Sequence, residues 1–208
     1  MPAPAPAPPT AANAPDEEAT SGCTATTLLV RKDLVVVANV GDSRAVLCRG
    51  GRAVDLSTEH RVWGKTPGVM AEIERIESVG GWVDDGRVCG VLAVSRGCPP
   101  NQCRHFTGNP VTAQPDVTEL ALHDSDEFVV VASDGLWDVM DSQEVVKLAR
   151  RDLQRGLEPQ EVASKLTTLA VKRGSQDNIG VVLIDLGKVE WGKDAGGGGL
   201  FGSLFGSR

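Results

Sequence analysis

Positive charge is in short supply: 21 Lys and Arg stand against 28 Asp and Glu, a formal net charge of -7. Binding a phosphate backbone calls for a basic footprint, so nucleic acid is not expected as a partner. No stretch reaches the apolar length of a membrane span. Cys-x-x-Cys pairs are absent among the five cysteines, Cys23, Cys48, Cys89, Cys98 and Cys103. The spacing of Cys98 and Cys103 falls short of a zinc signature without a second ligand pair. His105 leaves an adventitious metal cluster open beside the commoner alternative, a loop with reduced thiols. An odd cysteine count reads as a reducing, intracellular setting, cytoplasmic or nuclear. Residues 1–20 contain no Lys or Arg and are rich in Pro and Ala, so neither a secretory signal nor an Arg-rich transit peptide is expected in them. They are expected to form a disordered or polyproline-like leader.

At 208 residues the chain is long enough for one domain with a proper core and too short for two. The domain is expected over residues 21–187, followed by a flexible tail over 188–208 with Gly196 to Gly199 and two Leu-Phe-Gly-Ser repeats. Thr24 to Val30 and Leu34 to Val40 flank Lys32-Asp33, and Arg44 to Arg49 and Arg52 to Leu56 flank Gly50-Gly51; both pairs read as hairpins. Further strands are expected at Val91 to Val94, Val117 to Leu122, Glu127 to Ser133 and Ile179 to Leu186. Several of these runs are continuously apolar, so both faces of their sheet should be covered. Helices are expected after Thr66-Pro67, with Met70, Ile73, Ile76 and Val79 on one face, after Asp141 with Glu144, and after Pro159. The pattern is α+β: a layered antiparallel β-sandwich with helices packed outside.

The chemistry concentrates at strand ends. Phe128-Val-Val-Val-Ala-Ser-Asp134-Gly-Leu-Trp-Asp138 delivers two carboxylates to the point where a buried run stops. Asp177 precedes the run Ile179 to Ile184, and Asp42 follows Leu34 to Val40. Such carboxylates suit a hard cation, Mg²⁺ or Mn²⁺, which wants oxygen ligands. An Asp-Gly turn or a helix cap is the plainer alternative for each one singly. Clustered carboxylates repel unless a cation neutralises them, but spacing alone does not show that they cluster.

Ser21-Gly-Cys-Thr-Ala25, Val37-Ala-Asn-Val-Gly-Asp-Ser-Arg-Ala45, Glu74-Arg-Ile-Glu77 with Gly80-Gly81, Arg87-Val-Cys-Gly-Val-Leu-Ala-Val-Ser-Arg96, Asp126 to Asp138 and Arg173-Gly-Ser-Gln-Asp-Asn-Ile179 follow one another along the chain. In that order they resemble the type 2C protein phosphatases, metal-dependent serine/threonine phosphatases, over roughly residues 20–187. The resemblance implies a β-sandwich with helices on both outer faces and a two-metal Mg²⁺ or Mn²⁺ centre at one end. It implies that Asp134 and Asp177 are ligands of that centre, and that Asp42 and Asp138, with Asp134, form a third, weaker metal site. Such a centre activates a water for attack on a phosphoserine or phosphothreonine ester, with phosphoproteins as substrates and no cysteine nucleophile. A monomer is expected if the domain is complete.

The family's leading segment has no counterpart in residues 1–20. That segment carries a phosphate-gripping arginine, an acidic pair and an Asp-Gly-His-Gly-Gly run, and without it no catalytic residue is assigned. Thr58-Glu59-His60-Arg61 corresponds to an altered Asp-His-Lys element, and Gly97-Cys98-Pro99-Pro100 departs from the family on the substrate side. The domain is therefore expected to be amino-terminally truncated. Two functions stay open: a phosphatase whose full polypeptide includes the absent motifs, or a non-catalytic relative that binds a phosphatase partner or client. A purely structural β-rich module would leave the strand-end aspartates as coincidence.

Overall fold

The structure, a computed structural model, describes residues 22–64, 67–97 and 109–188. The Pro/Ala-rich leader, the tail beyond Lys188, the Thr66 cap and the Cys98, Cys103 and His105 segment lie outside the described residues. Two antiparallel sheets form the body. One has three strands in the order Ala25–Val30 (β1), Leu34–Val40 (β2), Asp116–Ala121 (β7), and the other four in the order Arg52–Asp55 (β4), Arg44–Arg49 (β3), Asp126–Ala132 (β8), Val181–Asp185 (β9). Strands β1 (Ala25–Val30) and β2 (Leu34–Val40) make the first hairpin, and β3 (Arg44–Arg49) and β4 (Arg52–Asp55) the second, as expected from their turn residues. Strands β7 (Asp116–Ala121), β8 (Asp126–Ala132) and β9 (Val181–Asp185) complete the sheets.

The continuous apolar runs of β3 and β8 are buried on both faces, as expected, whereas in β2 only the alternate residues Val35, Val37 and Asn39 are buried. Val35, Val37, Ala45, Leu47 and Val129 fill the space between the two sheets, with Leu56 and Leu186 at its margin. The other face of the β4-β3-β8-β9 sheet, with Val46, Cys48, Phe128 and Val130, packs on helices. Neighbours such as Val129 and Val130 thus enter different cores, and removing each such side chain from water contributes on the order of 1.5–3 kcal/mol. The helices on that face are α2 (Asp134–Trp137), α3 (Ser142–Gln154) and α4 (Pro159–Lys172). Asp141 caps α3 by accepting the Glu144 N–H at 2.8 Å. At the start of α4 the Glu161 carboxylate accepts the Glu158 N–H at 2.9 Å, with Pro159 as the first helical residue. At the far end of β8 the Asp126 carboxylate, buried, pairs with Arg49 at 2.7 Å, where the β3–β8 register shifts between Cys48 and Arg49.

Two local expectations differ. Val91 to Val94 is not a strand; a small hairpin of β5 (Val83–Asp84) and β6 (Arg87–Val88) precedes it. Left-handed φ at Cys89 (51°) and Gly90 (72°) turns the chain back so that Val88 pairs with Leu92. In α1 (Pro67–Ser78) Met70 is exposed, and the buried residues are Val69, Glu72 and Ile76.

Glu72 faces inward because a charge network awaits it. It accepts from Arg96 Nε and Nη2 at 3.0 and 2.6 Å and from Arg75 Nη2 at 3.1 Å. Arg96 continues to Asp116 at 2.6 Å, at the start of β7. Burial pushes the Glu72 carboxyl up, but the bonds from Arg96, Ser95 and Arg75 outweigh it and hold its pKa at about 2. A depressed acid contributes stability that is complete above its unfolded value and fades as pH falls toward the folded one. Glu72→Gln is expected to cost about 2–3 kcal/mol at pH 7 in a urea melt. The gap to the parent chain should close as pH falls from about 4.5 to about 2.

Candidate functional site

Asp42 stands just beyond β2, on a backbone held by several polar bonds. Gly41 adopts φ 109°, and a Cβ there would lie 2.2 Å from the Thr24 methyl, so the close approach of Thr24 requires glycine. The Gly41 N–H donates to His60 Nδ1 at 3.1 Å, which leaves the ring proton on Nε2 to donate to Asp116, also at 3.1 Å. Asn39, buried, donates to the carbonyls of Thr58 and Gly41. His60 is thus a positioning group for the Asp42 turn.

Asp134 opens α2 directly after β8. Asp138 follows one turn later, its N–H donating to the Asp134 carbonyl at 2.8 Å, so the two side chains share a face. Trp137 locks this turn, with its ring buried and its indole N–H donating to the Ala132 carbonyl at 2.9 Å. The Asp177 loop is clasped to the same place. Ser133 Oγ donates to the Asn178 carbonyl and accepts from the Gly180 N–H, each at 3.0 Å, and Ser175 Oγ donates to the Gly135 carbonyl at 2.7 Å. Gly135 allows the contact: a Cβ on it would stand 2.6 Å from the Asn178 carbonyl oxygen.

The four sequence-predicted aspartates feel one another. Burial raises the Asp134 pKa first, and the charges of Asp42, Asp177 and Asp138 raise it further against the pull of Arg61. Burial likewise raises Asp42, which Arg61 partly offsets. Asp42, Asp138 and Asp177 thus lie near enough to Asp134 for their charges to act on it. The group that sequence reasoning passed over is Arg61. Its Nη1 donates to Asp138 at 2.7 Å, its Nη2 lies 3.8 Å from Asp134, and its Nε lies 3.8 Å from Asp42. The signal was a basic residue directly after His60, set aside as an alteration of the family element.

Oxygen donors of this kind suit Mg²⁺ or Mn²⁺ in chemistry. Among the described residues, however, no three Asp, Glu, His or Cys side chains close on a position that could hold a metal ion. At the corner of Asp42, Asp134 and Asp138 the cation present is the guanidinium of Arg61.

The family model of protein phosphatase 2C matches residues 7–179. The chain belongs to the protein phosphatase 2C family. Protein phosphatase 2C 57 of Arabidopsis thaliana is 36% identical over 200 residues, covering 85% of this chain and 52% of that protein. Probable protein phosphatase 2C 68 of Oryza sativa subsp. japonica is 45% identical over 170 residues, covering 79% of this chain and 45% of that protein. Among solved structures, a phosphatase from Toxoplasma gondii superposes with a TM-score of 0.64 at 34% identity, covering 76% of this chain and 50% of that one. The fold is that of the phosphatase 2C family, and the chain spans about half the length of the curated relatives it matches. No helix among the described residues is long and apolar enough to cross a membrane.

The Gly135 contact tests whether the two aspartate-bearing segments are locked together. Gly135→Ala forces backbone against backbone and is expected to cost about 1–3 kcal/mol by denaturant unfolding. Gly180→Ala, whose nearest atom would be Ser133 Oγ at 4.0 Å, should cost clearly less.

Proposed function

We propose that the protein acts in hydrolysis of phosphoserine and phosphothreonine monoesters on protein substrates as a Mg²⁺- or Mn²⁺-dependent phosphatase. What supports this reading is that the segments bearing Asp134 and Asp177 are clasped together through Ser133 and Gly135, and that the charge of Asp177 acts on Asp134. Asp134 and Asp177 would hold the divalent ions together with carboxylates beyond the described residues. Such ions, when bound, supply Lewis-acid polarisation of the phosphoryl group and an acidified water. The rigid β8 end and the Trp137 anchor hold Asp134 in place, which matters because electrostatic catalysis depends on preorganised groups. Beside the aspartates opens a cleft of about 490 Å³, lined by Arg44, Ser57, Thr58, Glu59, Arg61 and Trp63 among others. With both signs of charge and a half-exposed indole, it offers room for the peptide that flanks a phosphorylated residue.

A second reading, a non-catalytic relative that binds a phosphatase partner or client, is favoured by a different observation. The described carboxylates do not close on an ion, and Arg61 stands among them.

Phosphate release from a phosphothreonine peptide separates the two. We expect Mn²⁺-stimulated release from a chimera in which residues 1–20 are replaced by the leading half of the Oryza relative, and loss of that release in Asp134→Asn. A folded chimera that binds Mn²⁺ and releases no phosphate would reject catalysis in favour of binding.

A further inference from the structure

Arg61 stands in an environment that ordinary ion pairing does not explain. Its side chain is only 8% exposed, yet Nε and Nη2 have no hydrogen-bond partner among the described residues. Both point at carboxylates, Asp42 and Asp134, that lie 3.8 Å away, beyond hydrogen-bond reach. Among the described residues only Nη1 makes a bond, to Asp138. On another side the guanidinium carbon lies 5.0 Å from the centre of the Trp63 ring. The root of the side chain is fixed, because Arg61 bridges Val94 and the adjacent His60 carbonyl accepts the Ser95 N–H at 2.9 Å. A buried guanidinium normally satisfies its donors; here two of its nitrogens are left without bonds among the described residues, in exchange for a central position among three aspartates.

We propose that Arg61 is the resident counter-cation of the Asp42, Asp134 and Asp138 corner, so that this corner excludes a divalent ion while Arg61 is in place. The expected third, weaker metal site is thereby replaced by a charge built into the chain. Coulomb attraction explains the arrangement: one positive charge within 4 Å of each carboxylate offsets their mutual repulsion, and a divalent ion entering the same space would meet it as a like charge. Trp63 supports the role by holding its ring against the guanidinium. Among the described residues Arg61 makes no ion pair with Asp177, so an ion held through Asp177 would be unaffected.

The inference rests on reading the aspartates as metal-type donors, and ion counting tests it independently of turnover. Manganese binding is followed on the 208-residue chain by the loss of the free-ion electron paramagnetic resonance signal, together with the melting temperature at rising Mn²⁺. Arg61→Met, which keeps the length and removes the charge, should gain one Mn²⁺ site, bound about tenfold or more tighter than any ion the parent holds there. It should also melt higher as Mn²⁺ rises. Adding Asp138→Asn should abolish that gain, and adding Asp177→Asn should leave it. No additional Mn²⁺ in Arg61→Met, or a gain that survives Asp138→Asn, overturns the proposal. Should Arg61→Met fail to fold, Asp138→Asn alone decides: unchanged Mn²⁺ uptake supports the proposal and reduced uptake overturns it. A chimera without phosphatase activity would undo the catalytic reading and leave these counts standing.

Discussion

Carboxylates set at the end of a buried sheet repel one another in a medium that screens poorly, and some cation must sit among them. That requirement organises this end of the molecule. It explains why Arg61 is drawn inward with two donors unbonded, why His60 is kept off the aspartates and turned to brace Gly41, and why Trp63 lies against the guanidinium. A lysine could supply the charge but not the planar spread that reaches three acceptors from one place.

The polar braces around the site do a different job from the apolar cores. The cores between the sheets and under α3 and α4 settle where the strands lie. The bonds of Ser133, Ser175, Asn39 and His60 settle the loops that leave those strands. Loops cannot be buried among apolar side chains without stranding their backbone groups, so short side chains such as Ser and Asn complete the hydrogen bonding at the rim. The Glu72, Arg96 and Asp116 chain extends this bracing to α1 and joins it through Asp116 to His60.

Much of the fold was legible because strand and turn chemistry are local: Lys32-Asp33 and Gly50-Gly51 mark their hairpins, and Asp141 and Pro159 open their helices as caps predict. The aspartates were legible as strand-end residues, and their meeting was not, because convergence depends on how β2, β8 and the Asp177 loop are assembled. The inward turn of Glu72 was hidden for the same reason. A glutamate on an amphipathic helix reads as solvent-facing until its partners Arg96 and Arg75 are known to lie beneath it. At Val91 to Val94 local propensity lost to the left-handed backbone at Cys89 and Gly90.

Strand β8 carries a last consequence. Val129 and Val130 point into opposite cores, both apolar, so a one-residue slip would exchange two valines and leave each interior oily. Alternation of polar and apolar side chains, the usual guard of strand register, is missing here. Register must be enforced from the ends instead, by the Arg49–Asp126 pair with its bulge at one and by the Trp137 indole bonded to Ala132 at the other. These two polar fasteners act as the ruler that sets how far along its strand Asp134 emerges.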